Sequence, residues 1–100
     1  MHGLEELKLP SLFQISGYWV YFWSNENNEP IHVHVSKGKP SQNGTKIWIT
    51  RAGGAILANN KSNIPENELN KLLEVISAQF FLICSEWKRH FVVDEIKFYC

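Results

Sequence analysis

The sequence predicts an α+β domain: an antiparallel sheet of three to four strands packed against a C-terminal helix or helix pair. Three features lead there. Short β-branched and aromatic runs fill residues 15–50, separated by segments rich in Gly, Pro and Asn. From Pro65 onward the apolar residues switch to three- and four-residue intervals, the period of a helix packed along one face. The chain has 100 residues, 13% of them aromatic, which suits a single domain over residues 1–100 with its core at about 12–91.

The elements follow in order. Residues 15–23, ISGYWVYFW, read as one strand. Tyr18, Val20 and Phe22 share one face; Trp19, Tyr21 and Trp23 share the other. Both faces carry apolar surface, as in a central strand covered on two sides. Gly17 marks a bulge or a close approach. SNENNEP, 24–30, is a turn segment ending in a breaker, Pro30. IHVHVS, 31–36, alternates strictly, so His32 and His34 face one way and Ile31, Val33 and Val35 the other. After the loop 37–44, TKIWIT makes a third strand with Ile47 and Ile49 inward. Loops of these lengths suit an antiparallel meander. Beyond Gly53 and Gly54, residues 55–58 fit either a fourth strand or a turn of helix.

Pro65 is suited to a first helical position, and Asn63 with Glu66 has the spacing of a capping box. Leu69, Leu72, Leu73, Ile76, Phe80, Ile83, Cys84, Trp87 and Phe91 form the apolar stripe, in one helix or in two with a break near 77–82. Val75, Phe81 and Leu82 lie off the stripe and point to a second contact, a partner protein or a second copy in a homodimer. The tail 92–100 alternates at Ile96, Phe98 and Cys100, as an edge strand would.

Ten basic and ten acidic residues cancel, but unevenly. Residues 31–65 carry Lys37, Lys39, Lys46, Arg51 and Lys61 and no acid. That local field favours an anionic partner such as nucleic acid, with Lys37, Lys39 and Arg51 as contacts. The plainer reading is a set of solubilising loop charges. No apolar run approaches the ~18 residues of a membrane span. The start, MHGLEELK, lacks the basic and apolar regions of a secretory signal, so a cytoplasmic protein is expected. Cys84 and Cys100 form neither a disulfide framework nor a CxxC metal motif, and Cys84 reads as a buried thiol.

The feature richest in chemistry is His32-Val33-His34. Two imidazoles on one strand face, roughly 6–7 Å apart at Cβ, can flank one phosphate as acid and base or supply two metal bonds. Glu26, Glu29, His90 and Asp94 are candidates for a third group. None stands at a fixed motif spacing, so no metal and no cofactor is assigned. Lys46 and Trp48 share a face of the next strand, which gives a cation for charge and an indole for stacking beside the His pair. The plainer readings are surface histidines and a packed Trp.

Several pieces in order resemble a known family: Ile15-x-Gly17-Tyr18, Ser24-Asn25-Glu26, Pro30-x-His32-Val33-His34-Val35, Lys46-Ile47-Trp48-Ile49, Pro65-x-x-Glu68-Leu69 and Trp87-x-x-x-Phe91. Together they are similar to the 4160 family of domains of unknown function, small bacterial proteins, over about residues 12–91. The resemblance implies a toxin–antitoxin setting, with a cognate toxin or antitoxin as partner, and carries over His32, His34, Lys46 and Trp48. The loop 51–61 and the tail beyond Phe91 depart from the family pattern.

The expected function is a toxin–antitoxin-like protein that binds or cleaves nucleic acid. His32, His34 and Lys46 would be catalytic, and Lys37, Lys39, Trp48 and Arg51 would bind nucleic acid. The alternatives are a non-catalytic interaction module and a metal-dependent site on the His pair.

Overall fold

A computed structural model describes residues 11–26 and 28–100; the N-terminal arm read from the sequence lies largely outside them. Five strands form one antiparallel sheet in sequence order: β1 (Ser11–Ile15), β2 (Tyr18–Tyr21), β3 (His32–Lys37), β4 (Thr45–Ile49) and β5 (Ala55–Asn59). Two helices follow, α1 (Glu66–Ala78) and α2 (Phe80–Phe91). The α+β class and the meander hold, but the sheet has five strands rather than three to four.

The extra strand, β1, lies almost wholly before the segment 15–23 read as one strand and shares only Ile15 with it. Ser16 and Gly17 both take positive φ, 50° and 83°, and turn the chain back so that Ile15 pairs with Tyr18. Positive φ at both loop residues matches the twist of a tight hairpin, and Gly carries it without steric cost. Gly17 is therefore a turn residue and not a bulge. Residues 55–59 resolve to a strand, β5, paired to β4.

Alternation sets the two faces of the sheet. Tyr18, Val20, Val33, Val35, Ile47 and Ile49 are buried in one core with Leu69, Leu72 and Ile76 of α1 and Ile83 and Trp87 of α2. The helical stripe does what its period implies, and the helix breaks at Gln79, where φ and ψ move to −99° and 24°. The Asn63–Glu66 capping box does not form. Asn63 sits at φ 55°, Pro65 occupies the cap position, and no side chain caps the helix. The preceding loop is instead fastened by Asn60, whose amide accepts from Ile64 N–H and donates to Ile64 C=O, each at 3.0 Å. Phe81 and Leu82 remain exposed, Val75 is half-buried, and no helix among the described residues is long and apolar enough to cross a membrane.

The tail is not an edge strand. Val92 ends α2 in the left-handed region, and residues 93–100 run without regular structure across one end of the sheet. Ile31 N–H donates to Lys97 C=O (2.8 Å) and Arg51 N–H to Cys100 C=O (2.9 Å). Tyr99 stacks on Trp48 with ring centroids 4.8 Å apart. Cys84 is half-buried rather than buried, and burial pushes its thiol pKa up.

Tyr18 ties sheet to helix: its hydroxyl donates to Glu68 Oε1 of α1. That bond, with burial and the Glu68 charge, raises the phenol from 10.0 to about 12. A raised pKa stabilises the fold fully below the unfolded value and loses that stabilisation as pH climbs through the folded one. Wild type should therefore lose its stability advantage over Tyr18→Phe between about pH 10 and 12 in denaturant titrations. A difference that stays constant through that window would remove the bond from the account.

Candidate metal centre

The sheet face that alternates with Val33, Val35 and Ile47 carries Tyr21, His32, His34, Lys46 and Trp48, as the register pairs them: Tyr21 with His34, His34 with Lys46, His32 with Trp48. The two imidazoles do share a face, and their ring centroids are 5.0 Å apart with planes at 89°. They are not surface histidines. His32 is fully buried and His34 nearly so. Trp48 and Trp87 stand edge-on to His32 at 5.7 and 5.5 Å, and Tyr21 stacks on His34 at 5.6 Å.

Glu26 closes the group. It sits in the turn after Trp23, where its Oε1 accepts Trp23 N–H (2.8 Å) and its own N–H donates to Trp23 C=O (3.3 Å). One carboxylate oxygen thus fastens the turn. The other, Oε2, lies 2.8 Å from His34 Nε2 and 3.1 Å from His32 Nε2. The loop is pinned twice more. Glu29 Oε1 takes the Lys46 ammonium at 2.6 Å, and Lys97 Nζ reaches Asn28 C=O at 3.4 Å.

The tautomer of His32 follows from its partners. Pro30 C=O can only accept, so the 2.9 Å contact with His32 Nδ1 makes Nδ1 the protonated nitrogen. In the neutral ring Nε2 is then a bare lone pair aimed at a carboxylate oxygen. The 3.1 Å contact there is close but is not an aligned hydrogen bond, and Nε2 has no other partner. Two acceptors face each other, and only a second proton or a cation between them makes the contact favourable. A backbone carbonyl on Nδ1 is also the usual outer support of a metal-bound imidazole. His34 lacks that support. Its Nδ1 is buried without a partner, so nothing but Glu26 fixes its tautomer.

Burial by itself would raise the Glu26 carboxyl. The contacts with His32 and His34, the His32 charge when protonated and Trp23 N–H outweigh it, and the group is held well below the ordinary carboxylate range. Glu26 is therefore a carboxylate at any physiological pH.

One ligand atom from each of Glu26, His32 and His34 lies within 4.8 Å of the others, and no other such trio converges among the described residues. Donors bound at about 2.0–2.1 Å to one ion are about 2.9–3.4 Å apart at octahedral or tetrahedral angles. The separations of the two Nε2 atoms from Glu26 Oε2, 2.8 and 3.1 Å, are already near that range. Two nitrogens and one carboxylate make a donor set for zinc or another first-row divalent ion, with coordination positions left open. Glu26 and His34 also line a cleft of about 310 Å³, with Trp23, Asn25 and Gln42. A hollow of about 340 Å³ lies elsewhere, among Ser36, Ser41, Asn43, Ser62 and the start of α1. Its one carboxylate, Glu68, is engaged by Tyr18, and no ligand set converges there.

The other residues singled out in the sequence fall differently. Lys46 is engaged by Glu29, and its ammonium lies 4.4 Å from the Trp48 ring centre. Lys37 is exposed at the far end of β3, 5.6 Å over the Tyr18 ring, and Lys39 is exposed in the following loop. Arg51 follows the opposite end of β4, its guanidinium over Phe98 at 4.9 Å. None of Lys37, Lys39 and Arg51 lines the cleft. Of the four third-ligand candidates Glu26 alone joins the pair. Gln42 stands in no motif and was invisible to spacing arguments; Asn25 entered only within the Ser24-Asn25-Glu26 piece and Tyr21 only as a strand residue, neither as a site residue.

A family model described as Domain of unknown function (DUF4160) matches residues 17–88, from the β1–β2 turn into α2 and more than half of the chain. No curated protein and no solved structure matches the chain.

Proposed function

The chain belongs to the DUF4160 family, and we propose that it is a metal-dependent domain acting on nucleic acid, with one divalent first-row ion held by Glu26, His32 and His34. The observation that carries this is the buried His32 Nε2, without an aligned hydrogen bond and set with His34 Nε2 against a single oxygen of a carboxylate. A bound ion of this kind polarises a carbonyl or phosphoryl oxygen and lowers the pKa of bound water, which is the chemistry of metal-assisted hydrolysis. The chain's own residues do the rest. Pro30 C=O orients His32, Trp48 and Trp87 exclude water behind it, and Glu26 and His34 face the cleft. His32, fully buried and bonded at Nδ1, acts as a ligand and not as a proton donor to substrate. In the bacterial toxin–antitoxin setting that the resemblance implies, such a domain is the toxin component and a second protein its antidote. The acid-free window 31–65 is the sequence feature that favours an anionic polymer, although Lys37, Lys39 and Arg51 stand outside the cleft.

The test is metal uptake. Chelator-treated, dialysed protein titrated calorimetrically with Zn²⁺, Mn²⁺ and Ni²⁺ should bind one ion per chain, at about micromolar Kd or tighter for at least one of them. Heat signals identical to those of a His32→Ala/His34→Ala variant would refute the centre.

A further inference from the structure

We propose that the cleft beside the metal centre receives a single nucleobase, free in a nucleoside or turned out of a single strand. This deepens the nucleic-acid reading above by naming what sits next to the ion. The lining carries it. Besides Glu26 and His34, the walls are one half-buried indole, Trp23, and two exposed carboxamides, Asn25 and Gln42. No Lys or Arg lines the space, so a phosphate has no partner there except the ion itself. An indole offers a stacking surface to any base. Each carboxamide offers a donor and an acceptor side by side, the complement of a base edge. At about 310 Å³ the cleft is large enough for one heterocycle and too small for a folded polymer segment.

Both carboxamides stand on turns that are locked, which distinguishes them from ordinary surface amides. Asn25 lies inside the Trp23–Glu26 turn, closed by the two hydrogen bonds already described. Gln42 follows Ser41, whose C=O accepts from the Tyr21 hydroxyl (2.7 Å) and whose N–H donates to the same oxygen (3.1 Å). Tyr21 is itself fully buried and stacked on His34. The two amide-bearing turns are thus fastened, one through Glu26 and one through Tyr21, to the residues that form the centre. A base held between them would lie beside Glu26 and His34, the two members of the donor set that line the cleft, as chemistry on a base drawn out of its stack would require.

The experiment uses full-length protein, with and without added Zn²⁺. Binding of adenosine, guanosine, cytidine and uridine, of ribose 5-phosphate and of a single-stranded hexanucleotide is followed by ligand-observed NMR. At least one nucleoside should bind and ribose 5-phosphate should not. Trp23→Ala should weaken nucleoside binding by roughly 5- to 100-fold, the loss of one stacked base. Because Trp23 also packs on Tyr21, the Asn25→Ala/Gln42→Ala double variant, altered only at exposed positions, serves as the second arm and should lose about 5-fold or more. A hexanucleotide binding more tightly than any nucleoside assigns the base to a strand; the reverse order assigns a free nucleoside. Metal uptake with no nucleoside binding, or nucleoside binding unchanged in the double variant, overturns the proposal. Base binding that is lost in the variants of a protein taking up no metal upholds the cleft and sinks the metal reading alone.

Discussion

Glu26→Gln should lower divalent-metal affinity by more than about 100-fold while leaving the metal-free protein at least as stable as wild type. The first half follows from removing the one anionic ligand. Loss of a mere outer-shell partner already costs about 10–100-fold in metal affinity, so loss of a ligand costs more. The second half follows from the hydrogen-bond inventory. When the His32 ring is neutral, Oε2 of the metal-free protein faces a bare Nε2 at 3.1 Å. Gln keeps an oxygen for Trp23 N–H and puts an amide donor where that repulsion was. The competing account is a structural imidazolium–carboxylate pair. Breaking such a buried pair costs about 3–5 kcal/mol, so a strongly destabilised Glu26→Gln protein would favour that account and remove the metal. Thermal melts discriminate further. Metal should raise the melting temperature of wild type and leave that of Glu26→Gln unmoved, because only the state that binds the ion gains from it.

The parts of the fold that were legible share one property: a hydrophobic period long enough to outvote its alternatives. The α1–α2 stripe runs over more than five turns of helix, and even its break falls inside the window where the sequence allowed one. β3 alternates over six residues between a proline and a glycine, so its register left little freedom. The illegible parts are short. β1, SLFQI, has two polar residues among five and went unread as a strand, while Ile15 and YWVY ran together as one; the positive φ of Ser16 and Gly17 makes them a hairpin. β5 lies at the sheet edge, where Ile56 and Leu57 stay partly exposed, and an edge strand of five residues carries little periodic signal. Tail and helix start were decided by contacts distant in sequence, Ile31 with Lys97 and Thr45 with Asn60.

The site divides along the same line. The His pair was visible because period 2 on one strand places i and i+2 side by side. Its third member was one name among four, since a ligand carried on a turn obeys no period. Glu26 reaches the pair through the turn at Trp23–Glu26 that follows β2, and the Glu29–Lys46 pair holds the chain beyond it against β4. The burial of His32 was also unreadable from spacing. It depends on Trp87, which is 55 positions away and arrives with the second helix. Lys37, Lys39 and Arg51 are near in sequence yet lie at opposite ends of the sheet, so their shared charge window is not a shared surface.

Gly44→Ala should destabilise the protein by about 1–3 kcal/mol or more and weaken the metal centre with it. A β-carbon at Gly44 would lie 2.2 Å from the Tyr21 hydroxyl, 2.9 Å from Ser36 Oγ and 3.2 Å from His34 Cβ. None of these is the free end of a mobile side chain. The Tyr21 hydroxyl is bonded to Ser36 Oγ at 2.7 Å and to Ser41 on both its N–H and C=O, and its ring is held by Trp23 and His34. Overfilling a packed site costs about 1–3 kcal/mol and sometimes more, and each displaced buried hydrogen bond adds to it. The clash is chiefly with one oxygen, and that makes the prediction sharp. Tyr21→Phe removes the oxygen and its hydrogen bonds, so alone it should destabilise. In the Tyr21→Phe background, however, Gly44→Ala should cost much less, because the 2.2 Å contact is gone. The double-mutant cycle should therefore show a coupling of roughly 1–3 kcal/mol in the direction of rescue. Additive effects, with no coupling between the two positions, would mean that the loop moves away from the sheet at little cost. The cleft wall that carries Gln42 would then not be fixed by Tyr21, and the link between that wall and the His34 ring would fall with it.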